Sequence, residues 1–147
     1  MSVRAGTLPT VGALVLTPLP RYEDVNGGLV VVEGVRHVPF PIARMFHVQA
    51  AEGGVRGQHA HRLCAQFLTC PRGFVEVVCD DGERTARFAL DRPDVGLFVP
   101  PGIWSEQIYR AQGSVLIVLC DRPYEAADYL REYGAFKAFR DGTTQPT

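Results

Sequence analysis

Short runs rich in Val, Ile, Leu and Phe recur along nearly the whole chain, each bounded by Gly, Pro or Asp. This punctuation constrains the fold more than any other feature, because closely spaced runs of strand length leave no room for crossover helices. Candidate strands are 13–17, 28–33, 42–49, 56–61, 65–70, 74–79, 85–90, 95–99, 106–110 and 114–120. The expected class is an all-β sandwich or barrel. Asp80-Asp81-Gly82 lies between two of the runs and suits a tight hairpin turn, so the flanking strands should pair antiparallel. Phe67 and Phe98 alternate with apolar neighbours and read as barrel interior. Only the tail changes period. Leu130, Tyr133, Phe136 and Phe139 recur three apart, which predicts a short C-terminal helix within 124–139, interrupted at Gly134 and covering one end of the barrel. The first ten residues and 141–147 are small and polar and are expected to fray.

A chain of 147 residues suits one domain, 1–147 with a core over about 12–140, and can bury roughly two-thirds of its unfolded surface without a metal or disulfide. Fifteen basic residues stand against sixteen acidic ones, so charge gives no reason to expect nucleic acid or an anionic membrane as partner. Cys64, Cys70, Cys79 and Cys120 fit neither a zinc nor a redox spacing and read as small buried thiols. The apolar run 11–16 is short and flanked by Pro9, Pro18 and Pro20, unlike a signal segment, and no run approaches the ~20 apolar residues of a membrane span. A cytoplasmic protein is expected.

Arg56-Gly57-Gln58-His59-Ala60-His61 is the segment that suggests chemistry, because a strand aims both imidazoles of His-x-His to one side. Gly53, five residues, His59-x-His61, four residues, Gln66, six residues and Gly73 resemble the first motif of the cupins, with Gln66 where that motif has Glu. Pro100-x-Gly102-x-x-Ser105 resembles the second motif, with Ser105 in place of its histidine. The resemblance implies a cupin or RmlC-like jelly-roll barrel. In metal-dependent cupins those histidines and the glutamate hold the ion. Gln66 and Ser105 are poor donors, so no metal and no cofactor are expected, and the histidines are free for proton transfer.

Within the cupins the chain is similar to the sugar 3,4-ketoisomerases of the FdtA/QdtA, WxcM-like family. The landmarks are Asp24-x-x-Gly27, Val38-Pro39-Phe40-x-Ile42-x-Arg44, the histidine segment, Asp80-Asp81-Gly82, Trp104, and Asp128-Tyr129-Leu130-Arg131-x-Tyr133-x-x-Phe136. The family implies removal of the C3 proton of a dTDP-linked 4-keto-6-deoxyhexose, an enediol, and return of a proton at C4. By resemblance His59 and His61 are the acid/base pair, with His61 at the ring carbons and His59 at the oxygens. Arg44 and Arg56 would meet the diphosphate or the developing enediolate. Gln66 reads as a pocket hydrogen bonder or an amide bridging strands, Trp104 as core, as pocket wall or as a substrate-binding residue that stacks on the base or sugar, and Arg131 as a rim charge.

Asn26, Ser105 and Phe46 depart from the family's larger side chains at substrate-facing positions, and His47 follows Phe46 on the opposite face of its strand. Asn26 and Ser105 enlarge the pocket, which suits a different nucleotide sugar or a member that binds without turnover. A 3,5-epimerase and a metal-dependent cupin are the remaining alternatives. The family further implies a homodimer with exchanged N-terminal strands.

Overall fold

The computed structural model describes residues 8–144. The strands are β1 (Leu16–Pro18), β2 (Arg21–Asp24), β3 (Gly27–Val30), β4 (Arg44–Gln49), β5 (Val55–His61), β6 (Gln66–Arg72), β7 (Val75–Asp80), β8 (Thr85–Leu90), β9 (Val95–Val99), β10 (Trp104–Tyr109), β11 (Val115–Cys120) and β12 (Tyr129–Leu130), followed by one helix, α1 (Tyr133–Thr144). Two five-stranded sheets, ordered β1-β9-β6-β11-β4 and β12-β5-β10-β7-β8, face each other, and β2 and β3 form a separate two-stranded ribbon. All the strand pairings are antiparallel. Each of the ten expected runs contains or overlaps a strand. The chain is a jelly-roll barrel of the cupin type.

Alternation fills the space between the sheets. Leu68 and Cys70 of β6, Val75, Val77 and Cys79 of β7, Leu97 and Val99 of β9, and Leu116, Val118 and Cys120 of β11 form one buried cluster. The four cysteines are buried and free. Asp80-Asp81-Gly82 makes the β7–β8 turn as expected. Asp80 Oδ1 accepts from Gly82 N at 2.6 Å, and Asp81 Oδ1 accepts from Glu83 N and Arg84 N at 2.9 Å.

The structure corrects four expectations. Phe67 and Phe98 point away from the barrel interior and pack with Leu19, Val38 and Phe40, so the segment after β3 covers the outer face of the first sheet. The tail helix starts at Tyr133, and residues 126–128 form a 3-10 turn leading into β12. Pairing of Tyr129 with His61 and of Leu130 with Ala60 satisfies those backbone groups across strands instead of along a helix. Gly134 does not interrupt α1, because it lies in the first turn, where backbone amides have no intrahelical partner to lose. Finally, α1 covers the outer face of the second sheet rather than a barrel end. Phe136 is fully buried against Ala60, Trp104 and Leu130, while Arg140 Nη1 donates to Gly102 O at 2.6 Å. Of the tail expected to fray, 141–144 are helical, and 1–7 and 145–147 lie outside the described residues.

Candidate active site

β5 is not a regular strand, and its irregularity builds the site. Gln107 of β10 pairs with Arg56 and Glu106 pairs with Gly57, but Ser105 pairs with His59, which leaves Gln58 as the extra residue of a bulge. Gly57 and Gln58 both have positive φ, 88° and 55°. In a regular strand Arg56 would face away from His59. The inserted residue reverses the alternation, so Arg56, His59 and His61 all turn into the barrel. Gly57 suits the bulge by its φ, and a Cβ there would stand 2.7 Å from Gln107 Oε1, so that side-chain amide would have to shift.

The resulting cavity, about 200 Å³, is lined by Phe46 of β4, Arg56, Gly57 and His59 of β5, Gln66 of β6, Gln107 of β10, Tyr129 and Arg131, with Val48, Leu116 and Val118 completing the apolar wall. His61 stands immediately behind it. Its ring is 5.1 Å from that of His59 and 4.3 Å from that of Tyr129, which pairs directly with it across β12. Arg44 lies on the same inner face as Phe46, its guanidinium 5.6 Å from the Phe46 and Tyr124 rings. Ser105 is buried opposite His59, and its hydroxyl accepts from Gln107 Nε2 at 3.5 Å. His47 is exposed on the other face of β4.

Two residues that the resemblance assigned to substrate are elsewhere. Trp104 points to the outside of β10, where it packs on Phe136 and edge-on against Tyr133 beneath α1. Strand parity dictates this, since Ser105 is the neighbour that faces inward. Asn26 is exposed in the β2–β3 turn, where its backbone N–H donates to Asp24 Oδ1, and it does not line the cavity of its own chain.

Hydrogen-bond partners fix the tautomers of both imidazoles. His59 Nδ1 lies 2.9 Å from the Gly57 carbonyl, which can only accept, so Nδ1 carries the proton and Nε2 the lone pair. His61 Nδ1 lies 2.8 Å from Asp128 Oδ2. Asp128 is itself buried and held by Leu63 N at 2.6 Å and Cys64 N at 3.3 Å, so its carboxylate is aimed rather than free. His61 Nε2 is buried without a hydrogen-bond partner. Cys64 Sγ, Asp128 and His61 offer donor atoms within 4.8 Å of one another, and within that group His61 Nδ1 and the Asp128 carboxylate are already hydrogen-bonded to each other, and the carboxylate also to backbone amides.

Burial lowers the proton affinity of both rings. His59 is pushed down to about 4 by burial first, then by His61, with Arg131 adding to the effect against the Gly57 carbonyl. His61 is also lowered by burial, opposed by Asp128 and reinforced by Arg44 and Arg131. Both are therefore neutral near pH 7. Depressed folded values mean that unfolded imidazoles, titrating near 6.5, bind protons that folded ones refuse, so stability is lost as the pH falls. The melting temperature is expected to decline between pH 6.5 and about 4, and less steeply in His59→Gln. An unchanged slope in the variant would contradict the buried, neutral His59.

Asp128, Tyr129 and Gln107 were not anticipated as site residues, and Arg131 was read as a rim charge. The Asp128–Arg131 block was visible as a family landmark. Reading it as helix concealed that Tyr129 joins the sheet beside His61.

The model of the FdtA family, described as WxcM-like, C-terminal, matches residues 13–141. The TDP-4-oxo-6-deoxy-alpha-D-glucose-3,4-oxoisomerase of Aneurinibacillus thermoaerophilus is 37% identical over 117 residues, 79% of this chain and 84% of that protein. A histidine-to-asparagine mutant of the 3,4-ketoisomerase QdtA from Thermoanaerobacterium thermosaccharolyticum, in complex with TDP-4-keto-6-deoxyglucose, superposes with a TM-score of 0.85 at 27% identity, covering 90% of this chain and 97% of that one. The TDP-quinovose 3,4-ketoisomerase WlaRB of Campylobacter jejuni gives a TM-score of 0.80 at 30% identity, over 86% and 98%. With the barrel, the histidine pair and a family match spanning most of its length, the chain belongs to the FdtA, WxcM-like family.

Proposed function

We propose that this protein is an isomerase that interconverts the 4-keto and 3-keto forms of a dTDP-linked 6-deoxyhexose by proton transfer through an enediol. The observation that carries the reading is the pair of adjacent neutral imidazoles, each with its Nδ1 proton committed to the protein and its Nε2 free to accept. The carbonyl at C4 acidifies the C3–H. His61 Nε2 takes that proton, and Asp128 stabilises the imidazolium that forms, as a buried carboxylate on Nδ1 does in other His–Asp pairs. The same nitrogen returns the proton to C4. Over the two halves O3 loses its proton and O4 gains one, and His59 Nε2 carries it between them. No cofactor takes part in this scheme.

A cavity of about 200 Å³ matches a sugar ring rather than a whole nucleotide sugar, which leaves the nucleotide along the rim. Arg56 and Arg131 at that rim suit the diphosphate, and Arg44, Gln66 and Gln107 suit the sugar oxygens. Ser105 and Phe46 shape the wall. We further infer a single cytoplasmic domain that works as a homodimer. Support for the dimer comes from the β2–β3 ribbon, which joins neither large sheet and exposes Tyr22, Val25 and Leu29. A second copy receiving that ribbon would bury these side chains and carry Asn26 to a neighbour.

Incubation with dTDP-4-keto-6-deoxyglucose, followed by NMR, tests the reaction. The carbonyl is expected to migrate to C3. A ketone that stays at C4 with inversion at C3 or C5 would mean an epimerase, and binding without conversion a silent module.

A further inference from the structure

Cys120 ends β11, and the register sets it directly opposite Arg44 on one neighbouring strand and Gln66 on the other. The three side chains therefore stand abreast on the inner face, beside the cavity. Arg44 Nη2 donates to Cys120 Sγ at 3.4 Å and Gln66 Nε2 donates to the same sulfur at 3.6 Å. The Cys64 thiol lies within reach of the Ala65 carbonyl, at 3.4 Å, of the Asp121 carboxylate and of Cys120, and its single proton serves one of them at a time. Cys120 is fully buried. A neutral thiol is a weak acceptor, and a guanidinium and an amide converging on one buried sulfur form the electropositive setting in which a cysteine ionises.

We propose that Cys120 is a thiolate that acts as a positioning residue, holding Arg44 and Gln66 in the pocket wall. The groups facing it are Arg44 from β4, Gln66 and Cys64 at the start of β6, and the phenol of Tyr129, to which Arg44 also donates. Asp121 and Arg122, paired with each other at 3.0 Å, follow it in the chain. The Cys64 hydrogen bond and the donors on Arg44 and Gln66 lower the Cys120 thiol against the opposing effect of burial, and the same contact raises Cys64, so the pair shares one charge and Cys120 carries it. Cys70 and Cys79 are raised by burial and stay protonated. The buried anion balances Arg44, whose positive charge otherwise lowers the proton affinity of His61. It occupies one donor of the guanidinium fork and leaves others for an oxygen of the sugar.

The kinetic consequence rests on the isomerase reading, but the charge state does not. Thiolate absorbance near 240 nm, followed against pH in the folded protein, is expected to show a step below the ordinary thiol range near 8.5. The step should vanish in Cys120→Ser and move to higher pH in Arg44→Gln. Cys120→Ser keeps the volume but is neutral, and its kcat/KM should fall about 10- to 100-fold, as expected for loss of a charge-assisted hydrogen bond at a binding group. A wild-type protein without the step, a step that survives Cys120→Ser, or a Cys120→Ser enzyme with unchanged kcat/KM would each overturn the proposal. Should Cys120→Ser not fold, the Arg44→Gln shift decides. A step present in a protein without isomerase activity would leave the thiolate standing and remove the reaction instead.

Discussion

Replacing His61 with asparagine should slow ring-proton transfer by about 10³-fold or more while nucleotide-sugar binding changes little. The size follows from its position. His61 Nε2 is the buried imidazole nitrogen without a partner, and general acid/base groups contribute roughly 10² to 10⁴ in rate. An asparagine amide cannot carry the proton from C3 to C4. It can, however, donate to Asp128 in place of Nδ1, so the buried carboxylate keeps a partner and the fold should hold. Alanine at the same place leaves Asp128 Oδ2 without its side-chain donor, at a cost of about 1–3 kcal/mol for an unsatisfied buried group. Asparagine is therefore the informative change. Single-turnover exchange and equilibrium binding, measured on the same preparation, check it. Lost binding with intact exchange per bound substrate would reverse the roles assigned here.

Asp128→Asn is expected to lower kcat by about 10²-fold or more with KM nearly unchanged. The carboxylate fixes His61 as the Nδ1–H tautomer and, in the proposed reaction, would stabilise the imidazolium formed when C3 is deprotonated. An asparagine that keeps its Oδ1 on Leu63 N turns its amide towards His61 and presents a donor to Nδ1. The ring answers by moving its proton to Nε2, and the base is blocked. Because the Leu63 contact survives, the melting temperature should drop little. Asp128→Ala, by contrast, removes the partner of two backbone amides and of the ring, so it should lose stability as well as rate. If Asp128→Asn retained full kcat, the carboxylate would be structural and His61 would act without it.

The barrel was legible in the sequence because its strands are short, punctuated and half-buried. The runs at 85–90 and 95–99 coincide with β8 and β9 residue for residue: β8 alternates after a hairpin turn marked by Asp and Gly, and β9 is an apolar run set off by Pro93 and Asp94. β2 escaped notice because all four of its residues are exposed, so no apolar period marks it. β12 is two residues long and has no period at all. That brevity hid the Asp128–Tyr129 half of the site, which long-range pairing with His61 creates and local pattern cannot show. The histidines were legible because His-x-His keeps its parity on any strand. Arg56 turns inward only through the Gly57–Gln58 bulge, whose one sequence trace is a glycine. Trp104 was assigned to the site from the family pattern, although its parity relative to Ser105 sends it under α1. Asn26 belongs to a ribbon that joins neither large sheet of its own chain.

The central claim is that His61, backed by Asp128, moves hydrogen between adjacent sugar carbons without help from an ion. Protein dialysed against a strong chelator, verified metal-free, and incubated with dTDP-4-keto-6-deoxyglucose should turn over at its original rate and give the 3-keto product. Loss of turnover on chelation, restored by a divalent metal, would contradict it.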